Sequence, residues 1–578
     1  MAKKLDPWES IRKDVEKVVD KALKKIRAGV DIEDVRNSIE VPPAQKMGDL
    51  ACSISFQVGK KREKSPREVA EKLLERIKKP ASIKKIKLSG AYLNFQFDRG
   101  KFAKEIVKAA GRKKFGRGKK KKKFMVEYSQ PNPLKAFHIG HVRGTVIGDS
   151  ISRILDYSGY ETIKANYYND MGTHVARVLW DYMKNHKGET PGSDVGNWFA
   201  KLYSEASKKV ENNPEVKEKV SETLKKLEKG EGEVYKTWKK LRDISIKEFD
   251  KIYEELDVQF DEIFYESEVA ERGKEIVKEL KKKKIAEKSE GAIIVDLEKY
   301  NLGTLLLVKS DGTMLYSVKD LALAEKKLKE FDVDKSIYVV GVEQRLYFQQ
   351  LFKTLELMGL KKAEKCKHLA YELVNLASGK KISSREGTAI LYKDLKEKMI
   401  DKAMEEILER NPELDPFMQK EIAKQISFGA MKFSMLNIGN NKTIFFDWDT
   451  ALEFEGETGP YIQYAGVRAK RILEQIDKTP NLSKCNFKEI LDEEHLLLKK
   501  IAKFPQILED SAEQYRPYEI AHYVYEIAEK FNTFYNKCRV LDADEKGIKN
   551  MRLRIVSATF NTLKTCLYLL GIDIPERM

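Results

Sequence analysis

Apolar residues recur at near-helical intervals at the start of the chain (Ile11, Val15, Val18, Ala22, Ile26), which predicts an amphipathic helix. Strict alternation marks Tyr92 to Phe97, with Leu93, Phe95 and Phe97 on one face and Tyr92, Asn94 and Gln96 on the other, the period of a half-buried strand. A further strand is expected at Phe124 to Tyr128, broken by Pro131-Asn132-Pro133. Val142, Ile147, Ile151, Ile154 and Leu155 then predict a helix that Gly159 stops, and Thr162 to Tyr168 reads as the next strand, so this stretch is a βαβ unit. From about 180 to 285 the chain is charged and helix-rich, an insertion rather than sheet. Strand signals return at Gly291 to Val295, Leu305 to Val308 and Ile337 to Val340, and beyond about 395 the pattern is helical almost throughout. The fold class expected is α/β. Residues 1–110 form a small α/β domain, 111–123 a linker, 124–395 a doubly wound parallel-sheet (Rossmann-like) domain with the helical insertion, and 396–578 an all-α domain.

Length agrees with several domains, since 578 residues exceed one compact core. A net charge of +18, with 35% of residues charged, points to a polyanionic partner, a solvated lysine-rich surface being the plainer alternative. The charge is most concentrated in Gly111 to Lys123 (G-R-K-K-F-G-R-G-K-K-K-K-K), expected to be a mobile linker that helps hold a phosphate backbone. The five cysteines are scattered without a C-x-x-C pair, which suggests neither a disulfide framework nor a structural metal. No apolar run reaches the roughly 18 residues of a membrane helix, and the first helix is unlike a secretory signal, so a cytoplasmic protein without membrane contact is expected.

Two of the seven histidines fall in His138-Ile139-Gly140-His141, where the strand hands over to the helix. Unpaired N–H groups and the partial positive charge of a helix N-terminus favour an anion, and Gly140 permits close approach of a nucleotide. A second loop, Gly379-Lys380-Lys381-Ile382-Ser383-Ser384-Arg385-Glu386-Gly387, sets lysines beside hydroxyls between glycines and could swing over a pyrophosphate. Tyr92 beside Asn94 and Gln96 offers a surface for an unpaired base, or simply a polar solvent face.

His138 to His141 resembles the H-I-G-H signature, and Lys381 to Arg385 the K-M-S-K-S signature, of class I aminoacyl-tRNA synthetases. The run Glu127 to Phe137 (E-Y-S-Q-P-N-P-L-K-A-F) is similar to the arginyl-tRNA synthetase family. So are Asn169-Asp170-Met171-Gly172-Thr173, Gly459 to Ala465, Phe531 to Tyr535 and the C-terminal Leu570 to Met578. The resemblance implies ATP-dependent ligation of L-arginine to tRNA(Arg) through an arginyl-adenylate, with Mg2+ arriving on ATP. It implies that His138 and His141 bind the ATP phosphates, that Gly140 admits adenine, and that Lys381 and Ser383 act on the leaving pyrophosphate. Ser384 stands where the signature has its second lysine, and Lys135 occupies the place from which family members lacking that lysine supply the charge. Gly341-Val342-Glu343 resembles a ribose-binding element, in which Tyr347 replaces the usual histidine.

A guanidinium presents five donors and a permanent charge, so its pocket needs carboxylates in fixed geometry. The resemblance places Glu127, Asn132, Tyr316, Asp320 and Gln344 around arginine. Tyr316 and Asp320 are four apart on an expected helix that starts after the turn Asp311-Gly312, and so share a face. For tRNA it implies D-loop reading by the N-terminal domain through Tyr92 and Asn94. The C-terminal domain would hold the anticodon through Tyr461, Tyr464 and Tyr535, with Arg539 where some relatives have tryptophan. A monomer is expected. Two alternatives stay open: another H-I-G-H nucleotidyltransferase or a class I synthetase for a different amino acid, and a non-catalytic RNA-binding relative.

Overall fold

The computed structural model describes residues 7–211, 213–376 and 390–578. The chain forms two compact units. One comprises Met1–Gly116, Ala465–Ile507 and Val524–Thr565, the other Arg117–Tyr464, Leu508–Tyr523 and Cys566–Met578.

The second unit is built on a five-stranded, wholly parallel sheet. Its strand order is Cys366–Tyr371, Lys335–Gly341, Lys123–Glu127, Glu161–Tyr168, Glu262–Tyr265. The central strand Lys123–Glu127 carries Met125 and Val126 fully buried, as expected where helices cover both faces. From it the chain winds outward to Glu161–Tyr168 and Glu262–Tyr265, then returns to add Lys335–Gly341 and Cys366–Tyr371 on the opposite side. The winding direction reverses beside the central strand, and crevices at the carboxyl ends of such a sheet are where ligands bind.

Two expectations about strands are corrected. Of the three later signals only Ile337 to Val340 joins the parallel sheet. Ala292–Asp296 and Thr304–Val308 instead pair antiparallel with each other, and Glu287–Ser289 completes a separate three-stranded sheet. A parallel crossover takes a dozen or more residues, and the chain between Asp296 and Thr304 is long enough only for a hairpin. Conversely, Glu262–Tyr265, inside the segment read as helical, is a strand of the parallel sheet, too short for its period to show. The helices of that segment, Val195–Glu211, Pro214–Glu228 and Gly232–Glu255, bury Phe199, Leu202, Leu227, Trp238 and Leu241 against Val175 and Leu179 of the helix Thr173–Asn185.

The basic segment is held more closely than a mobile linker. Gly118 N–H donates to Tyr157 O (3.1 Å), Lys120 N–H to Gly159 O (2.9 Å), and Lys122 O accepts from Glu161 N–H (3.0 Å). A Cβ on Gly118 would lie 2.0 Å from the Ser158 carbonyl oxygen, and Gly159 has φ +90°, so this close approach of two chain segments requires both glycines.

Another glycine sets how the helix Ile139–Tyr157 packs. A Cβ on Gly148 would stand 2.1 Å from Cγ of Tyr128, a fully buried ring wedged against Phe260. Gly148→Ala gains about 1 kcal/mol in helix propensity, but overpacking costs about 1 to 3 kcal/mol. With a buried ring as the obstacle the second effect wins, and a lower urea midpoint is expected; an unchanged or higher midpoint would contradict this packing.

The first unit contains the antiparallel sheet Ile39–Glu40, Leu50–Cys52, Tyr92–Phe97, Ile83–Ser89. Leu93, Phe95 and Phe97 face its core, with Trp8 edge-on to Phe97 at 5.8 Å. Asn94 departs from the open face expected of it. Its strand is interior, Asn94 is flanked by Ala51 and Lys87, and it retains only 5% exposure, whereas Tyr92 at the strand's end retains 37%. In the same unit Asp49 accepts hydrogen bonds from His495 Nε2 (2.7 Å) and Phe97 N–H (2.8 Å) and pairs with Lys499 (2.9 Å), fixing the sheet to the helix Asp492–Ala502. Among the described residues no helix is long and apolar enough to cross a membrane.

Candidate active site

His138 is the N-cap of the helix Ile139–Tyr157, and the histidines cap it reciprocally. His138 N–H donates to Nδ1 of His141 (3.2 Å) and His141 N–H to Nδ1 of His138 (3.4 Å), with the rings stacked at 3.7 Å. Because both Nδ1 atoms accept, each imidazole carries its proton on Nε2 and presents that donor outward. Burial and the Lys135 ammonium push His138 down to about 4. Burial, His138 and Lys135 push His141 well below the usual histidine range. Both are therefore neutral donors at physiological pH. The amide of Gly140 has no acceptor among the described residues, and a Cβ there would touch only the His138 ring. The Lys135 ammonium lies 4.5 Å above the ring of Tyr203.

The loop leading to the histidines holds Ser129 (φ +77°), Gln130 (φ +47°) and Leu134 (φ +64°) in left-handed conformations, which cost non-glycine residues free energy. Surrounding hydrogen bonds enforce them: Ser129 Oγ to Tyr253 Oη (2.8 Å), Gln130 N–H to Asn166 Oδ1 (3.1 Å) and Leu134 N–H to Ser245 Oγ (3.1 Å). The same helix grips the chain on either side of residues 377–389. Arg143, fully buried, donates to the carbonyls of Glu372 (2.6 Å) and Leu373 (2.9 Å). On the other side Ile139 N–H bonds Ile390 O (3.0 Å), and Tyr392 N–H bonds Phe137 O (2.9 Å). Lys381 and Ser383, expected to act on pyrophosphate, lie outside the described residues.

Glu127 ends the central strand, 3% exposed, with Oε1 accepting from Gln130 Nε2 (3.0 Å) and Oε2 paired with Lys327. Lys327 is itself fully buried, against Tyr338 and Phe264. Glu266 is likewise buried and paired with buried Lys319 at 2.6 Å; burial, opposed by that lysine, raises it to about 7. Asp320 differs. It lies on the helix Tyr316–Glu330, takes a hydrogen bond from Tyr347 Oη (2.5 Å), and has no cation within ion-pair distance among the described residues. Burial first, and the neighbouring Glu127 carboxylate, raise it to about 6. A buried carboxylate beside two neutralised carboxylates is a place made for a cation.

Tyr316, 48% exposed, sits with its ring 4.8 Å from Tyr347. Gly341 ends the strand next to the central one, and Glu343 and Gln344 follow it on a short 3-10 turn, both exposed. A Cβ on Gly341 would come within 2.4 Å of the Glu343 carboxylate, so the glycine lets that side chain fold back. Asn132 is partly exposed in the strained loop. Of the tyrosines expected to meet tRNA, Tyr461 and Tyr464 lie half-buried on Gly459–Glu474, in the second unit. Tyr535, in the first unit, is 41% exposed with the Arg468 guanidinium 4.6 Å over its ring.

Sequence reasoning missed Lys327, Lys319 and Arg143, and read Tyr347 only as an ill-fitting ribose contact. Lys327 sits in the run Lys326-Lys327-Leu328-Lys329, where composition marks every lysine as solvated. The available signal was spacing: Lys327 follows Asp320 by two helical turns and shares its face.

A doubly wound parallel sheet whose first crossover helix opens on H-I-G-H is the arrangement of a class I aminoacyl-tRNA synthetase, and the comparisons with known proteins select that class. The family described as tRNA synthetases class I (R), catalytic domain, matches residues 105–448. The arginyl tRNA synthetase N terminal domain matches residues 12–97 and the DALR anticodon binding domain residues 462–578. The chain is similar to the arginine–tRNA ligase of Clostridium perfringens, 37% identical over 98% of this chain and 100% of the relative. Its likeness to that of Clostridium acetobutylicum is 36% over the same shares. Its structure is similar to that of Thermus thermophilus arginyl-tRNA synthetase, with TM-score 0.80, 26% identity and coverage of 98% of this chain and 100% of the other. The Plasmodium falciparum enzyme, at TM-score 0.78, 23% identity and coverage of 98% and 99%, shares the fold. The chain belongs to the arginyl-tRNA synthetase family.

Proposed function

We propose that the chain ligates L-arginine to tRNA(Arg) for protein synthesis, with both substrates of the first step held at the carboxyl end of the central strand. The arginine carboxylate attacks the α-phosphate of Mg-bound ATP, pyrophosphate leaves, and the 3′-terminal adenosine of tRNA then attacks the adenylate carbonyl, releasing AMP. The observation that carries this reading is the pairing of two kinds of site on one sheet edge. A helix N-terminus with two neutral Nε2–H donors and Lys135 suits phosphates, and Asp320, an unneutralised carboxylate, suits a guanidinium or ammonium.

His138 and His141 stabilise charge on the transferring phosphate, Gly140 admits adenine, and Lys135 supplies the charge that Ser384 does not. Lys381 and Ser383 act on the departing pyrophosphate. Gly341 and Glu343 flank the ribose. Asp320, Glu127, Asn132, Tyr316 and Gln344 surround arginine, with Glu127, paired to Lys327 at the end of the central strand, turned to the substrate's amino group. The N-terminal domain, with Tyr92, meets the D-loop, and the helical C-terminal domain, with Tyr461, Tyr464 and Tyr535, meets the anticodon; stacking is worth roughly 1 to 3 kcal/mol per base. We place the enzyme in the cytoplasm as a monomer.

Aminoacylation of total tRNA with each of the twenty amino acids tests the assignment, and charging of arginine alone is expected. Charging of another amino acid, or of none, would overturn it. ATP–pyrophosphate exchange is expected to require tRNA, and full exchange without it would contradict that part of the reading.

A further inference from the structure

The helices Thr173–Asn185 and Val195–Glu211 gather a second chemical cluster that arginine ligation does not use. Asp181 lies near the end of the first helix, His186 caps it, and Glu205 projects from the second; one ligand atom from each falls within 4.8 Å of the others. His186 Nε2 stands 3.3 Å from Glu205 Oε2 and 3.7 Å from Asp181 Oδ2.

The remaining atoms of these groups are already engaged. His186 Nδ1 lies 3.1 Å from Glu189 Oε1, and Asp181 Oδ1 accepts from Lys209 Nζ (2.6 Å) and Asn185 Nδ2 (2.5 Å). A carboxylate only accepts, so Glu189 holds a proton on Nδ1, the outer hydrogen bond that orients metal-ligating histidines, and Nε2 is the atom turned to Asp181 and Glu205. Asp181 has 0% of its side chain exposed, and both its Oδ2 and His186 Nε2 are buried without a hydrogen-bond partner. A ring nitrogen and two carboxylate oxygens turned toward one another are unfavourable unless a cation lies between them or the ring takes a second proton. Around the imidazole, Asp181, Glu189 and Glu205 set three carboxylates against two lysines, Lys209 on Asp181 (2.6 Å) and Lys201 near Glu205 (4.0 Å), and the excess of negative charge favours a cation.

We propose that Asp181, His186 and Glu205 bind a divalent metal ion of the zinc type, with water completing a tetrahedral shell. One imidazole nitrogen and two carboxylate oxygens are ligands that Zn2+ accepts, whereas calcium and magnesium prefer oxygen alone. The ion clamps the two helices together, and the second carries Tyr203, two residues before Glu205, against Lys135. The reading of the sequence found no metal site because the ligands follow no recognised spacing.

The full-length chain, stripped with chelator, is titrated with Zn2+ by calorimetry, and its thermal transition is followed alongside. About one equivalent is expected to bind and to raise Tm. His186→Ala should abolish both effects, and Glu189→Gln, which alters only the outer hydrogen bond of the histidine, should weaken binding about 10- to 100-fold. Circular dichroism of the stripped proteins shows whether each variant folds, and Glu205→Gln serves as the conservative replacement if His186→Ala does not. Co2+ in place of Zn2+ should give visible absorption without a thiolate charge-transfer band. No binding, binding undiminished in folded variants, a thiolate band, or a chain stabilised by acid and indifferent to Zn2+ would each overturn the proposal.

Discussion

His138→Asn is expected to slow arginyl-adenylate formation about 10^2- to 10^3-fold, the usual cost of removing one preorganised donor from a developing oxyanion. Asparagine keeps a side-chain oxygen for the N-cap, so the helix Ile139–Tyr157 and the thermal transition should survive. What is lost is the outward Nε2–H, which the reciprocal bonds between His138 and His141 hold in place before substrate arrives. Pyrophosphate exchange with tRNA present measures the effect, which should fall on kcat while KM for arginine stays level. The wild-type rate should show no inflection from either histidine between pH 5 and 8, because His138 is held down to about 4 and His141 lies well below the ordinary range. With the imidazoles neutral throughout that window, acidification through it does not alter their donors. A loss below about tenfold would remove the imidazole from the phosphate's surroundings.

The βαβ unit around the histidines was legible because each of its signals is local: a β-prone run, a proline break, a helical period and a glycine stop within some forty residues. The strands Ala292–Asp296 and Thr304–Val308 were misread as parts of the parallel sheet because pairing partners are tertiary choices that a single strand's period does not encode, and the edge strand Glu262–Tyr265 was missed because four residues are too few to show a period. Burial of Asn94 follows from its strand being interior, again a fact about neighbours. At the site, motif residues could be placed by resemblance, but the charge balance could not. Lys327 and Lys319 resemble the many solvated lysines around them, yet they neutralise Glu127 and Glu266 and leave Asp320 without a cation. Tyr347 shows the same limit: the motif made it a failed ribose contact, while the fold turns its hydroxyl to Asp320.

Asp320→Asn should cost about 2 to 5 kcal/mol in arginine activation, as when a buried charge loses its partner, while leaving the free protein no less stable. The two halves of this expectation have one cause. Asp320 is raised from 3.8 to about 6, and a folded-state pKa above the unfolded one means stability is fully present at low pH and is lost as pH rises through about 6. At neutral pH the ionised carboxylate therefore costs the free protein up to roughly 3 kcal/mol, from the shift in pKa to about 6 at 1.36 kcal/mol per unit. Asparagine removes that cost, so Tm should hold or rise as kcat/KM for arginine collapses. Arginine, cationic at every relevant pH, relieves the same cost when it binds and should raise Tm in the wild type but not in the variant. Below about pH 6 the wild-type kcat/KM for arginine should fall about tenfold per pH unit as Asp320 takes up its proton, and the variant's profile should lose that limb. Unchanged kcat/KM for arginine would remove Asp320 from the pocket, and a variant that loses activity and stability together would make it a structural acid instead.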